Sequence, residues 1–509
     1  MKINTLSAKG VYALSNMAIP MTSLLKQLML SALCAFSLLI SVKAQDSLLR
    51  INERLILDFP LLEYPYVKFG AQMSFNKHHG EFSGNRTNTT LNDWLSGYES
   101  PSMNQVLAIT KDLHATNYYF NNKLWNKWVK PESKKKYLLN RLAANASAGI
   151  IDYILAYQLM VFGPVWLHEE FHRNGLTLQG ISSYDDTYYR FGGGGTPGGS
   201  VTEVSDEDLI RFKQDAPVEM VRTFSAGIEG QYAFIRNMQK DNFFSRTDYP
   251  NVVMNVLLTN QAVNYVRQFQ QSDYDASIDT MNFYGEKLEE RDFVGWDLTA
   301  WVYDMFRPEE PYTARGQHPY GVGINRAIKR SQLTQEEDDY LVKMGNLQYL
   351  NFLSPSMLGV HSIRLNENTR FNFAVRHILT SFGHDLGGDI FLNKNGQNWL
   401  IGIHTYHNHD RVFGGIELER QDIQTRLGNK TLEMDARAMV WFQPEDESFY
   451  ADKGKPGGLL QFTLKYPLNE TFKISTEVEG KTNGWVAANP FLGSNLSVRM
   501  GVSLYIGDK

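Results

Sequence analysis

The feature that most limits how this chain can fold is the strict two-residue alternation of its last third. Leu460, Phe462, Leu464 and Tyr466 alternate with Gln461, Thr463 and Lys465, and Phe472, Ile474, Thr476 and Val478 with Lys473, Ser475, Glu477 and Glu479. The same rhythm sets Leu432, Met434, Ala436, Ala438 and Val440 against Glu433, Asp435 and Arg437, and Val498, Met500, Val502, Leu504 and Ile506 against Ser497, Arg499 and Ser503. Successive residues of a strand point to opposite faces, so each run has one apolar and one charged or polar side. Asn395-Gly396 and Leu468-Asn469-Glu470 stand where hairpin turns are needed. From about residue 357 onward the pattern predicts an antiparallel meander of roughly seven to nine strands.

The other end of the chain reads as an export signal. Lys26 precedes an apolar run from Leu28 to Val42, followed by Val42-Lys43-Ala44, with small residues where a signal peptidase reads them. Residues 1–44 are therefore expected to be removed, and Met21 is the better start. A membrane anchor fits less well, because about fifteen apolar residues fall short of the twenty or so that span a bilayer. The only cysteine, Cys34, lies inside this run, so the mature part has neither disulfides nor thiolate ligands. Leu33 stands where a lipoprotein signal needs a small residue. Six N-x-S/T sequons are read as chance in what looks like a bacterial exported protein. Residues 1–44 hold four lysines and no acid; of 50 Lys and Arg, 46 remain against 55 acids, a net −9 that argues against nucleic acid as partner.

Two architectures satisfy the alternation. A soluble sandwich also has one polar face, but export, absence of cysteine, strands near ten residues and abundant aromatics (26 Tyr, 29 Phe, 9 Trp) favour a small outer-membrane barrel whose apolar side meets lipid. The segment Tyr64–Phe75, within residues 45–99, alternates in the same way and is a candidate extra strand. Residues 100–356 differ: apolar residues recur with helical period over Leu138–Phe162, Pro217–Gln239, Val252–Phe269 and Gln335–Phe352, the last opened by a Thr334–Glu337 capping box. The expected class is α+β, with a helical region followed by a C-terminal antiparallel meander. The glycine run at 192–195 and 198–199 lacks the strand and lysine of a phosphate loop and is read as a plain loop.

One motif has a specific chemistry. His168-Glu169-Glu170-Phe171-His172 places two imidazoles four residues apart, on one helical face, where they can share a metal ion; Glu169 lies beside them to take a proton from an attacking water. Pro164 suits the first turn of this helix, and Asn174-Gly175 its stop. The plain alternative is two structural histidines. His404, His407 and His409 form a looser cluster with no defined carboxylate partner, and His318 sits in a turn-rich loop.

This helix resembles the signature of the zincin metallopeptidases, over a few tens of residues. Gly175 matches the metzincin glycine, but Leu178 stands where that subgroup has its third histidine. In the gluzincin subgroup the third ligand is a Glu on a later helix, and Gly227-Ile228-Glu229-Gly230 looks like that element. The resemblance implies Zn²⁺ held by His168, His172 and Glu229, with Glu169 as general base and Tyr232, one turn on, as the group facing the developing oxyanion. Glu229 could instead pair with Arg222 or Arg236; Glu219, Glu207 and Glu203 are the other candidate ligands. The expectation is an exported zinc-dependent hydrolase acting on peptide or protein, located at the outer membrane or in the periplasm. Its rival is a non-catalytic outer-membrane protein with a helical binding domain.

Overall fold

The computed structural model describes residues 55–69, 100–128, 134–154, 162–191, 199–244, 252–284, 287–360 and 362–507. The export signal, the glycine run up to residue 198 and the second half of Tyr64–Phe75 lie outside them. The N-terminal strand comes earlier than expected: β1 spans Leu55–Tyr64 and stops at Pro65, which has no N–H to donate to a ladder, and residues 66–69 are helical.

The helical region contains α1 (Met103–Trp128), α2 (Lys134–Ile154), α3 (Pro164–Leu178), a short ribbon of β2 (Tyr184–Asp185) and β3 (Val201–Thr202), then α4 (Asp206–Asp215) and α5 (Pro217–Phe244). It continues with α6 (Val252–Val266), α7 (Tyr274–Tyr284), α8 (Asp297–Phe306) and α9 (Gln335–Leu347). The capping box is present: Thr334 accepts from the Glu337 backbone while Glu337 returns a bond to the Thr334 N–H. No helix among the described residues is long and apolar enough to cross a membrane.

Nine strands follow: β4 (Ile363–Asn366), β5 (Thr369–Thr380), β6 (Gly383–Lys394), β7 (Gln397–His407), β8 (Val412–Leu427), β9 (Lys430–Pro444), β10 (Gly454–Pro467), β11 (Phe472–Lys481) and β12 (Asn495–Ile506). Each pairs antiparallel with its sequence neighbour, and β1 adds to β12, with Leu55 opposite Ile506 and Tyr64 opposite Val498. The result is one ten-stranded sheet running from β1 to β4. It is open, not the closed barrel the pattern suggested: among the described residues the outer edges of β1 and of four-residue β4 are unpaired with each other, and the whole helical region separates them in the chain.

The sheet's polarity is inverted relative to a soluble one. Leu460, Phe462 and Val440 are 57, 54 and 63 % exposed, and Ile416, Leu496 and Ile403 look outward with them. The intervening charged residues are buried against the helices. Arg236 of α5 binds Asp389 and Glu417, Lys240 binds Glu419, and Arg437 closes on Glu417 from the neighbouring strand. At the other edge Lys111 and Lys465 share Asp58 of β1, and Arg499 reaches Glu63 and Glu479. Charges this deep are tolerable only when paired. The main apolar core therefore lies among α3, α5 and α8, with Trp166, Phe171, Phe224 and Trp301 fully buried.

Candidate metal centre

Helix α3 begins with Pro164 in its first turn, as its sequence suggests, but runs through Leu178, past the expected stop at Asn174-Gly175. Gly175 serves close packing: a Cβ there would lie 2.1 Å from Thr223 Oγ1 of α5. The chain turns instead at Gly180, whose φ of +71° an L side chain rarely adopts. Helix α5 yields in the same way. A Cβ on Gly227 would lie 2.4 Å from His168 Nε2, and one on Gly230 would lie 2.8 Å from Phe171 Cγ. The glycines flanking Glu229 thus let α3 press onto α5.

Three side chains converge at this contact. Asp297 Oδ2, in the first turn of α8, is 3.1 Å from His168 Nε2 and 3.2 Å from His172 Nε2, and the three donor atoms lie within 4.8 Å of one another. Donors held 2.0–2.1 Å from a tetrahedral ion are roughly 3.3 Å apart, so this group can hold a metal ion with little rearrangement. His172 Nδ1 is 2.6 Å from the Thr223 carbonyl. A carbonyl only accepts, so Nδ1 carries the proton and the Nε2 lone pair is left for the ion. That Nε2 makes no well-aligned hydrogen bond and faces the Asp297 carboxylate 3.2 Å away. Exposure of His172, His168, Asp297 and Glu169 is 1, 3, 4 and 5 %, so the cluster is nearly dry. The Tyr265 hydroxyl of α6 donates to Asp297 Oδ2 at 2.6 Å, and its ring meets that of His168 edge-on.

The electrostatics are those of a site short of positive charge. Burial pushes the Glu169 carboxyl well above its ordinary range, and Asp292, Asp185, Asp297 and Asp186 push the same way. Burial likewise raises Asp292 to about 8, with Asp297 adding and His172 opposing. At Asp297 burial is overcome by His172 and His168, which hold it ionised. His168 is lowered, chiefly by burial; for His172 burial is outweighed by Asp297. A cation among these groups would reverse the penalty on every carboxylate.

Glu229 is not part of this group. Two residues beyond Gly227 on a helix is about 200° around the axis, so it faces away from α3. Its carboxylate accepts from Arg222 Nη2 at 2.9 Å, Trp485 Nε1 at 3.1 Å and the Ala488 N–H at 2.8 Å. Pairing with Arg222, left open by the sequence, is what the structure has. Tyr232 is turned elsewhere too, its hydroxyl donating to Gln348 Oε1. Glu203, Glu207 and Glu219 are not among the converging side chains. His404, His407 and His409 part company: His404 Nδ1 contacts Asp385, His407 stacks on His384, and His409 contacts Glu336. His318 lies near Arg291 and Arg326. Asp297 is absent from the sequence expectations. Its signal is a carboxylate opening the apolar run Leu298, Trp301, Val302 and Met305, a place where burial forces an acid to find a partner. No protein-family model, curated protein or solved structure matches this chain.

Proposed function

We propose that the protein is an exported, zinc-dependent hydrolase of the outer membrane, acting on peptide or protein. The observation that carries the reading is the convergence of His168, His172 and Asp297 in one buried cluster, with Glu169 next to His168 on the same helix. Two imidazoles and one carboxylate suit Zn²⁺ and leave a fourth position open. When bound, the ion supplies Lewis acidity that polarises a scissile carbonyl and acidifies a water. The chain's own residues do the rest. Thr223 and Tyr265 orient His172 and Asp297, and Glu169 accepts the proton from the attacking water and returns it to the leaving group.

The membrane part of the proposal is supported by the sheet's outward apolar face. The sheet is open between β1 and β4, and hydrocarbon does not tolerate free edges, so the membrane reading requires that these two edges become paired or covered in lipid. The test is metal analysis and peptide-library cleavage on detergent-purified protein. The chain should carry about one zinc, lose it in His168→Ala, and cleave in a chelator-sensitive way. Absence of both metal and cleavage would sink the hydrolase reading.

A further inference from the structure

The two ends of the sheet differ, and the difference bears on which side of a membrane the metal centre faces. At one end the connections are short: residues 367–368, 395–396, 428–429 and 468–471. At the other they lengthen from 381–382 and 408–411 to 445–453 and 482–494. The helical region belongs to the second end. It leaves the sheet where β1 ends, since Tyr64 pairs with Val498 near the start of β12, and returns into β4, which runs toward the short turn at 367–368. Leu55 and Ile506, the outer ends of β1 and β12, face each other at the short-turn end.

Side chains tie the long connections to the helices. In 482–494, Trp485 and Ala488 bond Glu229, and Asn489 offers its carbonyl to Arg222. In 445–453, the Tyr450 hydroxyl donates to the Phe306 carbonyl at the end of α8. Helix α5 then descends along the polar face of the sheet, placing Phe243 and Phe244 against Phe391 near the short turns. His172 and His168 touch α5 at Thr223 and Gly227, between Arg222 and Glu229. The centre is thus level with the long connections, roughly 20 Å along α5 from the Arg236 and Lys240 pairs at 1.5 Å per residue.

Outer-membrane sheets keep short turns on the periplasmic side and long connections outside the cell. Resting on the membrane reading above, we propose that the metal centre stands at the exterior face, with β1 beginning and β12 ending on the periplasmic side. Its substrate is then a peptide or protein met outside the cell, not one in transit through the periplasm.

The test uses the full chain, whose mature part has no cysteine, so each single-cysteine variant reports one position. Glu309→Cys and Asp452→Cys are exposed at the long-connection end, and Glu470→Cys at a short turn. In intact cells a charged, membrane-impermeant maleimide should label the first two at least tenfold more than the third, and Glu470→Cys should label only after the outer membrane is permeabilised. Labelling of Glu470→Cys in intact cells without the others, or of none until permeabilisation, overturns the orientation while the protein still sediments with membranes. Recovery of the whole protein without detergent overturns the membrane reading and the orientation with it. Neither result touches the metal centre, which the zinc measurement reads separately.

Discussion

Replacing Gly227 by Ala is the sharpest test of how the centre is built. The added Cβ would fall 2.4 Å from His168 Nε2 and 2.5 Å from both Cδ2 and Cε1, so it meets the body of the ring and not a flexible tip. Restoring contact of about 3.4 Å requires a shift of roughly 1 Å, shared between the helices and the imidazole. Overpacking of this kind costs about 1–3 kcal/mol, and the better helix propensity of Ala offsets roughly 1 of that, so the metal-free fold should lose about 0–2 kcal/mol. Metal binding should suffer more, because ligand distances are held to within about 0.2 Å and the ring moves several times that far. A tenfold or larger loss of zinc affinity, about 1.4 kcal/mol, is expected in a chelator-competition titration. Gly230→Ala is the control: its Cβ would meet Phe171 at 2.8–3.0 Å, a comparable insult on the same helix contact but not on a ligand. It should lower thermal stability and leave zinc affinity within about twofold. Equal zinc affinity in Gly227→Ala, Gly230→Ala and the parent would refute the placement of His168 against α5.

Asp297→Asn should weaken zinc binding by at least tenfold, while Glu229→Gln should keep zinc and loosen residues 482–494, read as new cleavage there in limited proteolysis; the reverse pattern would restore Glu229 as ligand. Glu169→Gln should bind zinc like the parent and lose roughly two to four orders of magnitude of any hydrolysis, measured on the best library peptide. Within the metal-free centre Glu169, Asp292 and His172 bind protons more tightly folded than unfolded and His168 less tightly, so the centre's own contribution to stability should fall as pH rises from about 4 to 8. Burial lowers His318, His377, His384 and His407 and works the other way elsewhere, so the contribution is read as the difference in pH slope between the parent and Glu169→Gln. Zinc affinity should run the other way as its ligands deprotonate, so the gain in melting temperature on adding zinc should grow with pH; a gain that shrinks would contradict the site. Phe462→Lys, on the outward face, should cost about 2–4 kcal/mol in lipid and abolish a heat-modifiable band on gels, whereas an exposed position of a soluble sheet would tolerate it within about 0.5 kcal/mol.

What could be read from the sequence is what is decided within a few residues. The start of α3 at Pro164, the Thr334–Glu337 box, and the alternation over β9 to β12 are local rules, and each is found in place. The failures occur where a second element intervenes. Gly175 and Gly227 carry the sequence mark of a helix stop and of a ligand motif, yet both are glycine because α3 and α5 press together there, and no periodicity reports a neighbour. Asp297 lies 125 residues beyond His172 and joins it only through the packing of α8, so spacing could not rank it above Glu229, which has the more suggestive surroundings in the chain. The sheet makes the same point on a larger scale. Alternation says that a strand has two unlike faces but not which one the core takes; here Arg236, Lys240 and Lys111 occupy the charged face, and the apolar face is left outward. Those three basic residues lie on α5 and α1, far along the chain from the strands they neutralise, and the acids they meet on β1, β6 and β8 have no local reason to be buried. The inversion is therefore a property of helices and sheet together. It arises because the helical region brings enough charge to satisfy the polar face, so that face is the one the helices cover and the apolar one is left outward.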